Sequence, residues 1–170
     1  MLADKYAAQI EQILAKYPSK RSAVMPLLYM SQEEYGHITD EGIREIAQIV
    51  GEDPTAVKSV AGFYTMFSKH PKGKYWLQVC TDLPCALRGA DQFYEDLKAY
   101  LGIEDDGGTS ADGLFTVEHV MCLAACDKAP MLQCNFHFLE NLDMDKMKAQ
   151  IADWRAESAP AAGKKAKRSS

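Results

Sequence analysis

The sequence predicts an α+β fold, with an N-terminal helical bundle over residues 1–70 and an α/β domain over residues 71–156. Two observations predict it. Apolar residues recur at helical spacing through the first part, and from Lys74 the pattern changes to short β-rich runs separated by turn residues. With 170 residues, 47% of them hydrophobic, the chain can bury one core or two small ones.

Helical spacing predicts the elements of the first part. One helix is expected from Asp4 to Lys16 and another from Ser22 to Tyr35. A third begins at its cap, Asp40, and ends at Gly51. The next begins at Asp53-Pro54, where aspartate is the N-cap and proline the first helical residue. Together they predict a small bundle.

The second part alternates between strands and helices. The predicted elements are a strand from Tyr75 to Val79, a helix from Cys85 to Leu101, strands from Leu114 to Val117 and from Met131 to Phe136, and a helix from Met144 to Ala156. This order is compatible with a small α/β sandwich of thioredoxin type.

Four cysteines form two close pairs, Cys80 with Cys85 and Cys122 with Cys126. The first pair follows the first predicted strand, and the second lies between the next two strands. Four thiolates are the ligand set of an iron–sulfur cluster, and a [2Fe–2S] centre takes two protein sulfurs at each iron. One tetrahedral zinc also accepts two such pairs, so both metals stay open at this point.

The remaining cysteine and the histidines are interpreted as structural. Cys134 alternates with apolar neighbours in a predicted strand, which indicates a buried thiol. No histidine forms a paired Cys-x-His pattern, so mixed ligation is not expected. Cys85 opens a predicted helix, which should lower its thiol pKa. Arg88 and Lys128 are the nearest basic residues, and both are interpreted as solvated surface charges.

Charge and composition narrow the function classes. The net charge of −5 disfavours nucleic acid as a partner. No apolar signal segment or membrane-spanning run is recognisable, which indicates a reducing, cytoplasmic compartment and disfavours disulfides. An Ala/Pro/Gly-rich stretch leads to a basic end, so residues 157–170 are predicted to be a disordered basic tail. Its basic residues are Lys164, Lys165, Lys167 and Arg168.

The chain also lacks the signatures of a complete active site. No Gly-x-Gly-x-x-Gly follows a strand, and no nucleophile–base pattern is recognisable. The chain is therefore not expected to catalyse turnover alone.

Four segments together carry a family resemblance. They are the runs from Tyr17 to Leu28, from Gly62 to Phe67, from Val79 to Gly89, and from Cys122 to Pro130. In this combination they closely resemble the E-type, or 24 kDa, thioredoxin-like [2Fe–2S] subunit family of respiratory complex I, NADH:quinone oxidoreductase. The resemblance covers about residues 5 to 155.

The resemblance implies an electron carrier within a larger enzyme. Cys80, Cys85, Cys122 and Cys126 match the family's ligands to one [2Fe–2S] cluster, which exchanges single electrons with FMN. FMN and NADH would bind a partner flavoprotein subunit, and the helical part would help docking among the hydrophilic-arm subunits. A hetero-oligomer at the cytoplasmic face of the membrane, without direct membrane insertion, is implied.

Two alternatives accompany this interpretation. An NAD-dependent formate dehydrogenase or hydrogenase uses an equivalent [2Fe–2S] subunit, and ligand spacing does not separate these enzymes. A zinc-stapled, non-redox interaction module is the other alternative.

Two local departures from the family pattern accompany the resemblance. Ala124-Ala125 stands where glycine is frequent before the last cysteine, which suggests a slightly different loop. Residues Cys134 to Phe138 stand where the family commonly has an Asn-Asp-Asp turn, so the resemblance does not predict the hairpin geometry here or any tuning of the cluster by it.

Overall fold

The computed structural model describes residues 1–159. The chain divides into two compact units, Met1–Lys72 and Gly73–Ser170. The four basic residues of the expected tail lie outside the described residues. Among the described residues, no helix has both the length and the apolar character needed to cross a membrane.

Within residues 1–72, all of which are described, the regular secondary structure is helical. The α-helices are α1 (Leu2–Lys5), α2 (Ala7–Leu14), α3 (Val24–Tyr35), α4 (Asp40–Val50) and α5 (Pro54–Phe63), and a 3₁₀ turn, Lys20–Ala23, precedes α3. Each of these helices contributes to one apolar core, in which Leu27, Leu28, Ile46 and Val57 are almost fully buried.

The helix starts show one correction. Thr39, and not Asp40, caps α4, because the Thr39 hydroxyl accepts the Gly42 N–H at 3.0 Å. Asp40 is the first helical residue, where its charge suits the helix dipole. The start at Asp53-Pro54 is confirmed, since the Asp53 carboxylate accepts the Thr55 N–H.

The second unit alternates strands and helices along the described chain. Its elements are β1 (Tyr75–Cys80), α6 (Leu83–Ala86), α7 (Ala90–Leu101), β2 (Gly108–Thr109), β3 (Phe115–Val120), β4 (Leu132–Cys134), β5 (His137–Leu139) and α8 (Met144–Ser158). The predicted mixture of helix and sheet is confirmed.

Within residues 73–159 the strands form one five-stranded sheet in the order β2-β3-β1-β4-β5. β1 and β3 are parallel, and the other pairs are antiparallel. Apolar side chains of the sheet, including Leu77, Phe115 and Leu132, share one core with Leu97 of α7 and Ile151 of α8.

Three predicted elements differ in the structure. The helix expected from Asp4 to Lys16 is divided at Tyr6 into α1 and α2. The helix expected from Cys85 to Leu101 is divided into α6 and α7, because Gly89, the N-cap of α7, has φ +91°, a left-handed conformation that interrupts the helix. The strand expected from Met131 to Phe136 is shorter in the structure. Its strand part is β4 (Leu132–Cys134), and a hairpin turn at Asn135 and Phe136 leads into β5.

The hairpin turn is made by two non-glycine residues with positive φ, Asn135 and Phe136. Asparagine tolerates this conformation, and here its side chain also holds the turn to the backbone at the start of β1. The Asn135 Oδ1 accepts the Trp76 N–H at 3.0 Å, and Nδ2 donates to the Lys74 carbonyl at 2.8 Å.

Candidate metal centre

Both cysteine loops leave the same end of the sheet. β1 and β3 run parallel in register, so Cys80, the last residue of β1, lies opposite Val120, the last residue of β3. The Thr81 N–H donates to the Val120 carbonyl at 3.1 Å, which extends the pairing into the loops. The carboxyl ends of parallel strands are a common place for binding sites. Cys122 therefore begins its loop beside Cys80.

The second loop also ends beside Cys80, on the other side of β1. The Cys80 N–H donates to the Met131 carbonyl at 3.3 Å, just before β4. The chain from residue 121 to residue 131 thus starts and finishes next to the same strand end. Cys126 lies midway, at the start of the 3₁₀ turn Cys126–Lys128.

A single turn of helix places Cys85. Asp82 caps this turn by accepting the Leu83 N–H at 3.0 Å, and Pro84 suits its first positions. The Cys85 N–H donates to the Asp82 carbonyl at 2.8 Å. These bonds turn Cys85 inward, where its side chain is buried.

The four thiols come together as two pairs. The Cys85 thiol interacts with the Cys80 thiol, and the Cys126 thiol with the Cys122 thiol, closely enough that these interactions, after burial, raise the pKa values of Cys85 and Cys126. The pairs also interact electrostatically with each other. All five cysteines, each within the described part of the chain, are free thiols. The described structure therefore brings the four predicted cysteines within electrostatic reach of one another.

The two pairs differ in their access to solvent. Cys80 and Cys85 are each 1% exposed, whereas Cys122 is exposed and Cys126 is partly exposed. The buried pair is enclosed by an apolar cluster that contains Ala90, Ala129 and Met131. The site is therefore closed on the side of the first pair and open on the side of the second.

The thiol pKa of Cys85 differs from the sequence-based prediction. Burial, and after it the neighbouring thiols, raise the pKa of Cys85 to about 12. Burial and Cys122 likewise raise the pKa of Cys126. The prediction of a lowered Cys85 pKa is wrong because a one-turn helix has too small a dipole to outweigh burial among other thiols.

Because these pKa values are raised, the thiols need a nearby cation before they can all ionise. Metal binding releases the protons of its thiol ligands, and the metal charge stabilises the thiolates. Grouping in two pairs matches a binuclear cluster with two thiolates at each iron. Among residues 1–159, no three His, Cys, Asp or Glu side chains are grouped closely enough to hold one metal ion. The donor set, four thiols in two pairs, fits a [2Fe–2S] group.

The second loop also offers a backbone donor to sulfur. The Ala124 N–H donates to the Cys122 Sγ at 3.3 Å. This geometry accompanies φ +60° at Ala124, a left-handed conformation that glycine adopts without strain. The alanine thus adopts a backbone conformation that favours the glycine frequent in the family.

Cys134 lies elsewhere in the second unit. It is 7% exposed within the core between sheet and helices, and burial raises its pKa to about 11. The fifth cysteine therefore packs as a small apolar side chain, as the alternation predicted. His119, which precedes Cys122 closely in sequence, pairs its Nδ1 with the Asp106 carboxylate at 3.1 Å.

Comparisons with known proteins identify the family. Residues 10–155 match the family described as thioredoxin-like [2Fe-2S] ferredoxin. The chain belongs to this family, which confirms both the resemblance and the [2Fe–2S] cofactor predicted from it.

Named relatives agree with this assignment. The chain is 43% identical over 150 residues to NADH-quinone oxidoreductase subunit 2 of Thermus thermophilus, covering 86% of this chain and 82% of the relative. It is 39% identical to the second E-type subunit of the NADH-quinone oxidoreductase of Rhizobium meliloti, covering 87% and 88%. It is 37% identical to the E-type subunit of the Mycobacterium bovis enzyme, covering 87% of this chain but only 58% of that relative.

A solved structure shows the same fold. A chain of the NAD+-reducing [NiFe]-hydrogenase in the air-oxidized state superimposes with a TM-score of 0.67 at 21% sequence identity. The match covers 78% of this chain and 23% of the hydrogenase chain.

Exchanging Ala124 for glycine should stabilise the second cysteine loop. Ala124→Gly removes left-handed strain of about 1–2 kcal/mol and adds chain entropy worth about 0.4–1 kcal/mol to the unfolded state, so a net gain of about 0.5–1 kcal/mol is expected. The matched variant is Ala125→Gly, where φ is −122° and no strain is relieved. It should lose about 0.5–1 kcal/mol. Denaturant unfolding measures both, and equal effects would contradict strain at Ala124.

Proposed function

We propose that this chain is the electron-transfer subunit of an NADH:quinone oxidoreductase and that Cys80, Cys85, Cys122 and Cys126 bind its [2Fe–2S] cluster. The observation that carries the proposal is the convergence of four free thiols, in two pairs, at the end of β1 and β3. When bound, the cluster supplies a centre that accepts and releases one electron at a time.

The protein's own residues hold and shield this centre. Cys80 and Cys85 supply the buried side, where Ala90, Ala129 and Met131 exclude water. The Ala124 N–H donates a hydrogen bond to Cys122 Sγ. Hydrogen bonds to ligand sulfur favour the reduced form of such centres. Burial and donors together would set the reduction potential.

Electrons would enter and leave on the side of the second pair, because that side is accessible. Large apolar residues are exposed beside both cysteine loops: Leu83 at 69%, Leu87 at 80% and Met121 at 74%. Such residues favour coverage by another subunit. We assign this face to the flavoprotein subunit that carries FMN and binds NADH.

The remaining organisation is proposed from the same relationship. Residues 1–70 form the helical bundle that docks against other hydrophilic-arm subunits, residues 71–156 form the thioredoxin-like [2Fe–2S] domain, and the basic tail follows α8, which ends at Ser158. The assembly is a hetero-oligomer at the cytoplasmic face of a membrane. This chain contacts that membrane only through other subunits.

A second candidate is the equivalent subunit of an NAD-dependent hydrogenase or formate dehydrogenase. The fold match to the NAD+-reducing hydrogenase motivates it, while the relatives named as parts of NADH-quinone oxidoreductase favour the first candidate.

The electron donor distinguishes these functions. The chain is purified anaerobically with the subunits that co-purify from its own cells, and the complex is given NADH, formate or hydrogen. NADH should bleach the visible absorption of the cluster, and quinone should restore it. Bleaching by formate or hydrogen would indicate the second candidate. A colourless complex that contains zinc would support the zinc-stapled module and contradict electron transfer.

Single substitutions test the ligand set. Each of Cys80→Ala, Cys85→Ala, Cys122→Ala and Cys126→Ala should lose most of the bound iron, because an iron with one protein thiolate is weakly held. Cys134→Ala is the matched control, since this buried thiol lies outside the proposed site. It should keep its iron and lose about 1 kcal/mol of stability from the small cavity. Iron loss in the control, or its retention in any of the four, would refute the assignment.

A further inference from the structure

Arg88 links the two cysteine loops. Its backbone N–H donates to the Cys85 carbonyl at 3.0 Å, so the residue is anchored to the first loop. Its side-chain Nε donates to the Ala129 carbonyl at 3.1 Å in the second loop, 41 residues further along the chain. Although Arg88 as a whole is exposed, this bond is partly buried.

The Ala129 carbonyl belongs to a row of carbonyls that are all hydrogen-bonded. The N–H groups of Asn141, Leu142 and Cys80 donate to the carbonyls of Lys128, Pro130 and Met131, respectively, at 2.7, 2.8 and 3.3 Å. All three donors are backbone groups: Asn141 and Leu142 follow β5, and Cys80 is the last residue of β1. The fourth carbonyl of the row, that of Ala129, receives the Arg88 side chain. Arg88 thus adds a side-chain bond that ties the row to the first cysteine loop.

The row forms the wall of the thiol site. Ala129 is 3% exposed and Met131 is fully buried, and both pack in one cluster with Cys80 and Cys85. A guanidinium is always charged in proteins. Its bond to the Ala129 carbonyl therefore holds a permanent positive charge against this wall.

This charge acts on the difference between two oxidation states. One-electron reduction makes a four-thiolate [2Fe–2S] site more negative by one charge. A fixed cation favours the more negative form, and net charge is one of the factors that set such potentials. The same side chain also fixes the spacing of the loops, which is a separate, mechanical effect.

We propose that Arg88 is a positioning residue of the cluster site: it clamps the second cysteine loop to the first and, through its charge, raises the reduction potential. The proposal rests on the proposed function for its redox part. Its mechanical part concerns the loops of this chain alone. Lys128 does not take this role, because its ammonium lies 3.9 Å from the carboxylate of its neighbour Asp127.

Three variants separate charge, clamp and general effects. Arg88→Lys keeps the charge and a single donor, and Arg88→Met removes both. Arg155→Met is the matched control, because Arg155 lies over the Phe115 ring at the opposite end of β1 and β3, where Phe115 pairs with Tyr75. Arg155 bonds Asp112 at 3.1 Å, so the control also loses a charged hydrogen bond.

Two readouts are measured on each anaerobically purified, full-length protein. In a redox titration followed by EPR, Arg88→Met should shift the ratio of reduced to oxidised cluster about tenfold toward the oxidised form, or about 59 mV for a one-electron couple. Arg88→Lys should restore most of this shift, and Arg155→Met should match the wild type. In hydrogen exchange, the segment 126–131 should exchange at least tenfold faster in Arg88→Met, faster by a smaller factor in Arg88→Lys, and at the wild-type rate in Arg155→Met.

The results that overturn the proposal are distinct from failure of the proposed function. A potential and an exchange rate in Arg88→Met equal to those of Arg155→Met would overturn it. If Arg88→Met does not fold, Arg88→Lys decides the proposal. A wild-type potential together with faster loop exchange in Arg88→Lys supports the proposal, whereas a lowered potential in Arg88→Lys refutes the charge role. Wild-type protein without iron would overturn the proposed function and the redox role together, while exchange in the segment 126–131 decides the clamp.

Discussion

The parallel pairing of β1 with β3 is the constraint on which the site depends. Because both strands end at the same register position, with Cys80 opposite Val120, the two cysteine loops begin side by side. The antiparallel pairing of β1 with β4 then returns the second loop to the other side of Cys80. A loop held at both ends beside one strand end has few ways to carry its cysteines elsewhere.

This arrangement places four thiols where they resist ionisation without a metal. Burial and mutual repulsion raise the pKa values of Cys85 and Cys126, so the metal-free site favours protonated thiols. Iron would supply the missing positive charge and exchange with the protons. Binding free energy gained in this way also stabilises the folded loops. The half-open geometry leaves Cys122 at the surface, where another subunit can approach the proposed centre.

Local patterns predicted the elements well, and long-range contacts explain most of the differences. Proline and aspartate define the start of α5, and β-formers define β1, because such signals act within a few residues. The Cys85 pKa could not be predicted, because distant residues bury the thiol. Arg88 is exposed, as the sequence predicts, but its bond to a carbonyl 41 residues away could not be predicted, because no sequence pattern marks such a partner. The turn at Asn135 likewise depends on distant hydrogen bonds, which join its side chain to the backbone of Lys74 and Trp76 at the start of β1.

The central claim is that the two thiol pairs hold one [2Fe–2S] cluster. Iron, zinc and acid-labile sulfide content, measured with EPR spectra of anaerobically purified protein before and after dithionite reduction, tests it most directly. The account predicts about two iron and two sulfide atoms per chain and a paramagnetic signal that appears only on reduction. Stoichiometric zinc without iron or colour, in protein never exposed to oxygen, would contradict it.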